Sequence, residues 1–258
     1  MRLTFCFLGY FVFSAGLLAE VKTETLTYKD GDTILEGFLA YDTLSSKKRP
    51  VIFIVHEWKG LDDYAKIRAV QLAERGYLAM AVDIYGEGMI LKTNEEAGKM
   101  ATGYKKDPKK LRGRMNAAYQ KLKTHAFFDS KRVAAIGYCF GGTTVLEWAR
   151  SGAKAKGVVS FHGGLSTPMP AKNGDIDAKI LVLHGAEDSY VPDSEVLAFE
   201  NEMRGAEADW QLVKFGGAVH GFSRRDAGNN VKSGYAYNSA ADKRSFEMML
   251  GFFNEIFR

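Results

Sequence analysis

From residue 50 onward the chain is punctuated by short, mainly apolar runs without alternation: Val51–Val55, Leu78–Ile84, Val133–Ile136, Val158–Phe161 and Ile180–Leu183. Runs that do not alternate with polar residues suit strands covered on both faces, as in a parallel sheet. A more polar run, Trp210–Phe215, belongs nearer a sheet edge. Helix-period segments separate the runs. Tyr64–Arg75 stops at Gly76, and Pro108–Thr124 opens after Asp107, a cap followed by proline at the first helical position. Gly141–Arg150, Pro192–Arg204 and Ala240–Phe257 complete the set. The alternation predicts a doubly wound α/β fold, mostly parallel, with right-handed crossovers and helices on both faces. Ahead of it, Val21–Tyr28 and Ile34–Tyr41 flank the turn Lys29-Asp30-Gly31-Asp32 and predict an antiparallel hairpin. Segment 87–106 is the least strand-like insertion and reads as a lid or an extra helix. With no repeat or low-complexity tract, residues 20–258 read as one domain.

Composition removes several function classes. With 258 residues, 46% hydrophobic and 26% charged, the chain is neither disordered nor collagenous. Its net charge of +4 is dispersed, so no clustered basic footprint for nucleic acid forms. Residues 1–19 combine Arg2, an apolar stretch from Leu3 to Leu18 and Ala19 before a polar sequence, which is the pattern of an export signal. Cleavage is expected after Ala19 or after Gly16. The expected product is periplasmic or secreted, with no stable membrane association. Cleavage removes Cys6 and leaves Cys139 as the single thiol, in a compartment where cysteines normally pair. Such a thiol is either an inert buried side chain or a nucleophile.

Its neighbours favour the second. Gly137-Tyr138-Cys139-Phe140-Gly141-Gly142 lies directly after one apolar run and directly before a helix pattern. This resembles the strand–nucleophile–helix elbow of α/β-hydrolases, with Cys in place of the usual Ser. So tight a turn excludes side chains two residues either side of the nucleophile, hence Gly137 and Gly141. The helix behind Cys139 favours its thiolate, and the Phe140 N–H faces the place where an oxyanion forms.

In α/β-hydrolases the acid and then the histidine follow the nucleophile. The run Ile180–Leu183 leads into His184-Gly185-Ala186-Glu187-Asp188, which makes Asp188 the candidate acid and Glu187 the fallback. Gly216-Gly217-Ala218-Val219-His220-Gly221 then supplies His220 as the base. His56, His162 and His184 sit at strand ends in structural roles, and His125 lies at a solvated helix end. The loop His56-Glu57-Trp58-Lys59-Gly60-Leu61 stands where α/β-hydrolases keep the second oxyanion donor, here the Trp58 N–H. Glu57 is unusual there, because a carboxylate beside the nucleophile disfavours the thiolate. His56-Glu57 lacks the second histidine of a zinc helix, and no other spacing suggests a metal.

Together with Val82-Asp83-Ile84-Tyr85, Gly185-Ala186-Glu187-Asp188-Ser189-Tyr190-Val191-Pro192 and Gly217-Ala218-Val219-His220-Gly221-Phe222, these segments resemble the dienelactone hydrolase family from about residue 21 to the C-terminus. The resemblance implies hydrolysis of a carboxylic ester or lactone, without metal or cofactor, by a triad of Cys139, His220 and Asp188. It implies that Glu57 restrains the resting thiol and that Tyr85 and Arg224 bind substrate, Arg224 against a carboxylate. A second family arginine is replaced here by Gly86-Glu87-Gly88, from which repulsion of anionic substrates is expected. Two alternatives stand beside it. One is a catalytically silent ligand-binding envelope protein. The other is a different cysteine hydrolase of the class I amidotransferase kind, whose acid and histidine lie close together, unlike Asp188 and His220.

Overall fold

The computed structural model describes residues 20–258, so the expected export segment lies outside the described residues. Strands β1 (Val21–Asp30) and β2 (Thr33–Asp42) form the expected hairpin around Gly31, whose φ of 58° the absent side chain makes accessible. β2 pairs antiparallel with β4 (Leu78–Val82), which pairs in parallel with β3 (Arg49–Val55). Beyond β3 come β5 (Phe128–Tyr138), β6 (Gly157–Phe161), β7 (Lys179–Gly185) and β8 (Trp210–Phe215), all parallel. The eight strands make one sheet in the order β1-β2-β4-β3-β5-β6-β7-β8, with the more polar β8 at its edge.

The pleat sends Val51, Phe53 and Val55 of β3 to one face and Ile52 and Ile54 to the other, and each set enters a separate core. The first core is covered by α2 (Asn94–Lys105), α3 (Pro108–Leu122), α4 (Phe140–Arg150) and α5 (Asp193–Gly205). The second is covered by α1 (Asp63–Ala73) and α6 (Ser239–Ile256). Both faces of the parallel strands are therefore dry, which is why their runs do not alternate. Among the described residues no helix is long and apolar enough to cross a membrane.

Two local differences from the sequence expectation, and the choice of an extra helix in the insertion, have physical causes. β4 stops at Val82 because Asp83 accepts hydrogen bonds from the N–H groups of Glu36, Tyr85, Gly86 and Gly88 and turns the chain. Residues 94–105 of the insertion form a helix because Thr93 and Glu96 make a reciprocal capping box. His125 is half-buried rather than solvated, packed edge-on against Tyr41 and Phe127.

A buried ionic clamp fixes α4 against α5. Arg150 bonds Glu202 at 2.8 Å, Glu147 at 3.1 Å and the Leu165 carbonyl at 2.7 Å, while Arg112 holds Glu147 from α3 at 2.7 Å. Removing one member leaves the others charged and enclosed. Arg150→Met is therefore expected to lower unfolding free energy by about 3–5 kcal/mol, read as the midpoint and slope of urea denaturation. A midpoint equal to the parent's would show that the clamp contributes nothing net.

Candidate active site

The parallel strands end on one edge of the sheet, and the chemically able side chains follow those ends. His56 comes after β3, Asp83 after β4, Cys139 after β5 and His162 after β6; Asp188 comes after β7 and His220 after β8. Ligands of open α/β sheets bind at this carboxyl edge.

Cys139 adopts φ 52° and ψ −113°, a conformation rarely taken by a side-chain-bearing residue. Its N–H bonds the Phe161 carbonyl at 3.0 Å, and its own carbonyl accepts from Gly142 and Thr143 in the first turn of α4. A methyl group on Gly137 would run into the Gly141 carbonyl, and one on Gly141 into the carbonyl of Val55. The two glycines thus let α4 start against the sheet, with its positive end beneath the sulfur.

The structure brings Cys139, Asp188 and His220 together across three loops. His220 Nδ1 lies 2.8 Å from Asp188 Oδ2, and the ring shares the cavity wall with Cys139, near enough for the sulfur to act on its charge. Asp188 is held in turn by the Tyr190 N–H at 2.9 Å. Burial draws the His220 pKa down, but the sulfur and the Asp188 carboxylate outweigh it and push it up to about 10. The ring therefore favours imidazolium, the form that stabilises a neighbouring thiolate. Tyr190 and His162 meet it edge-on at 5.2 Å, and Tyr235 packs against it tilted by 37° at 6.2 Å.

Among the described residues, neither the Trp58 N–H nor the Phe140 N–H has a hydrogen-bond acceptor. Glu57 lies close by and is almost fully enclosed. Its Oε2 accepts from Arg224 Nη1 at 3.1 Å, while Oε1 is buried with no partner. Burial pushes its pKa up to about 7, against the pull of Arg224. Arg224 lines the cavity, but carboxylates already surround it. Nη1 also bonds Asp62 at 2.7 Å, and Nε and Nη2 bond Asp226 at 2.8 and 2.6 Å. Tyr85 sits beneath the cavity rather than in its lining, and its hydroxyl donates to the Trp58 carbonyl at 2.9 Å. Glu87 is exposed and outside the lining, so the expected repulsion of anions is not exerted at the cavity wall.

The cavity encloses about 1030 Å³, enough for a small organic molecule, and Cys139 and His220 open onto it. Sequence reasoning missed Tyr235, Thr143, Lys105 and Glu195 in its wall. Thr143 had a positional signal, being one helical turn beyond Cys139; Tyr235 had none, because only the return of loop 225–237 carries it to His220. Among the described residues no group of three or more His, Cys, Asp or Glu side chains is arranged to hold a metal ion.

Sheet order, elbow and edge together define an α/β-hydrolase. The model of the dienelactone hydrolase family matches residues 35–257, and the chain belongs to that family. A solved structure named m3DLH is 36% identical, covers 92% of this chain and 98% of its own, and superposes with a TM-score of 0.87. A dienelactone hydrolase-like promiscuous phosphotriesterase from metagenomic libraries is 37% identical over 92% of this chain and 98% of its own, with a TM-score of 0.85. A protein of Bradyrhizobium described as a "Probable 2-oxo-3-(5-oxofuran-2-ylidene)propanoate lactonase" is 29% identical, over 85% of this chain and 94% of its own.

The Glu57 titration gives a signed expectation. Ionised Glu57 opposes a thiolate in the same cavity, and with a pKa near 7 it is ionised above neutrality and neutral below. Glu57→Gln should therefore speed iodoacetamide labelling of Cys139 by at least about threefold at about pH 8.5 and hardly at all at about pH 5.5. Mass-spectrometric labelling rates check this. An unchanged rate at the higher pH would remove Glu57 from control of the thiol.

Proposed function

We propose that the protein hydrolyses a carboxylic ester or lactone through an acyl-thiol intermediate on Cys139. The single observation that supports this most is the hydrogen bond from His220 to Asp188 on a ring that faces the same cavity as the sulfur at the elbow. The thiolate attacks the carbonyl carbon, and the carbonyl electron pair moves onto oxygen. The N–H groups of Trp58 and Phe140 stabilise that oxyanion. When the intermediate collapses, the carbon–oxygen bond of the ester breaks and the alkoxide takes the proton from His220. A lactone keeps its alcohol tethered to the acyl group. Water then attacks the thioester with His220 as base, releasing the acid and restoring the thiol and imidazole. Asp188 fixes the ring with Nδ1 protonated and stabilises the imidazolium, as acids do in such triads.

Arg224 enters this reading as an organiser of Glu57, Asp62 and Asp226, able to meet a substrate carboxylate only by leaving one of them. Residues 1–19 enter as an export signal on their sequence pattern, placing the hydrolase in a periplasmic or secreted setting. The catalytically silent alternative gains no support from the cavity, since a ligand-binding pocket has no need of a strained cysteine within reach of a histidine.

Cys139→Ala is expected to reduce turnover of small activated esters by at least about 10³-fold with the folded state preserved, because alanine tolerates the same backbone. Initial rates beside circular dichroism check this, and retained activity would refute the mechanism. Expression of the full chain in a Gram-negative host should yield an exported product whose N-terminus is Glu20 or Leu17 by mass spectrometry. A cell-associated product retaining Met1 would refute export.

A further inference from the structure

His56 is enclosed at the carboxyl end of β3 and takes no part in the proton relay, yet both its ring nitrogens are engaged by backbone. The Ile84 N–H lies 3.3 Å from Nε2. A backbone N–H only donates, so Nε2 carries the lone pair and the ring proton resides on Nδ1. Nδ1–H then donates to the Glu57 carbonyl at 2.6 Å, and the Gly60 N–H donates to the same oxygen at 3.2 Å.

That carbonyl and the Trp58 N–H belong to one trans peptide plane and point in opposite directions. Pinning the oxygen fixes the direction of the N–H, and a donor at the oxygen also polarises the amide and strengthens its own N–H as a donor. Tyr85 pins the next plane through the Trp58 carbonyl. The His56 ring also stacks on Phe140, with centroids 5.9 Å apart and planes 21° from parallel. Gly141, lacking a side chain, lets the start of α4 rest against the carbonyls of Val55 and His56. One imidazole thus touches both peptide segments that end in an acceptor-free N–H.

We propose that His56 is a positioning residue for the oxyanion hole: its Nδ1–H orients the Glu57–Trp58 peptide, and its ring holds Phe140 in register with it. The inference rests on the acyl-thiol reading above. It makes His56 act through Trp58 and Phe140, without touching substrate. Burial, which lowers the basicity of the ring, favours the neutral form that both contacts require.

Acylation and alkylation of Cys139 separate this role from general structural support. Attack on an ester builds an oxyanion, whereas displacement of iodide from iodoacetamide builds none. His56→Phe keeps a stacking ring and loses the donor. His56→Asn places an amide N–H near the Nδ1 position and loses the stack. The expected result for His56→Phe is a kcat on activated esters lower by about 10–100-fold, little change in KM, and iodoacetamide labelling within about twofold of the parent. His56→Asn should recover at least about fivefold of the lost kcat, since it restores the donor to Glu57. Acylation of His56→Phe at the parent rate, labelling that falls in parallel with acylation, or equal losses in the two variants would each overturn the inference. Parent turnover that survives Cys139→Ala would overturn the acyl-thiol reading itself and this inference with it. Turnover that depends on Cys139 and ignores His56 overturns this inference alone.

Discussion

The left-handed backbone at Cys139 is the constraint on which the site depends. A side-chain-bearing residue keeps such a conformation only when its surroundings over-determine it. Here they do so from three directions: the Phe161 carbonyl accepts its N–H, the Gly142 and Thr143 N–H groups in the first turn of α4 donate to its carbonyl, and glycines two residues away on either side remove the obstacles to close packing. The same geometry lifts the sulfur above the sheet edge and brings the start of a helix under it. Strain and reactivity are two results of one turn.

Charge in the cavity is arranged around two centres. His220 is held toward its protonated form by Asp188 and the sulfur, while Arg224 is ringed by Glu57, Asp62 and Asp226. Glu57 joins the centres, with one oxygen on the guanidinium and the other buried without a partner. A group in that position, with a raised pKa, is sensitive to what enters the cavity, because displacing Arg224 changes its ionisation as well as its direction.

Most of the fold was legible because parallel strands covered on both faces leave a compositional trace, and because Gly76, Asp107-Pro108 and the hairpin turn mark element ends chemically. What the runs left open was decided by short-range polar contacts. Asp83 ended β4 by collecting four backbone donors, and the Thr93–Glu96 capping box selected a helix from the two forms expected of the insertion. The elbow and the order of Cys139, Asp188 and His220 were readable because they are sequential. The neighbours of His220 were not. Tyr235 arrives on a long loop, His162 from the end of β6 and Tyr190 from the turn before α5, and although His162 and Tyr190 stood in recognisable places, nothing in the sequence tied any of the three to the His220 ring. His56 looked structural because a histidine at a strand end gives no sign of which peptide its nitrogens hold. Arg224 was visible as a cation, but not its three carboxylate partners, two of which come from residues far away in sequence.

The polarity of the sheet leaves its other rim without chemistry. Segments 43–48, 151–156 and 205–209 precede β3, β6 and β8 there and are largely exposed, on the side of the molecule remote from the cavity. Loops of this kind tolerate added chain. An affinity tag, a fused partner or a tether to a bead introduced at one of them would present the cavity mouth outward, so the enzyme can be immobilised in a single orientation without obstructing entry.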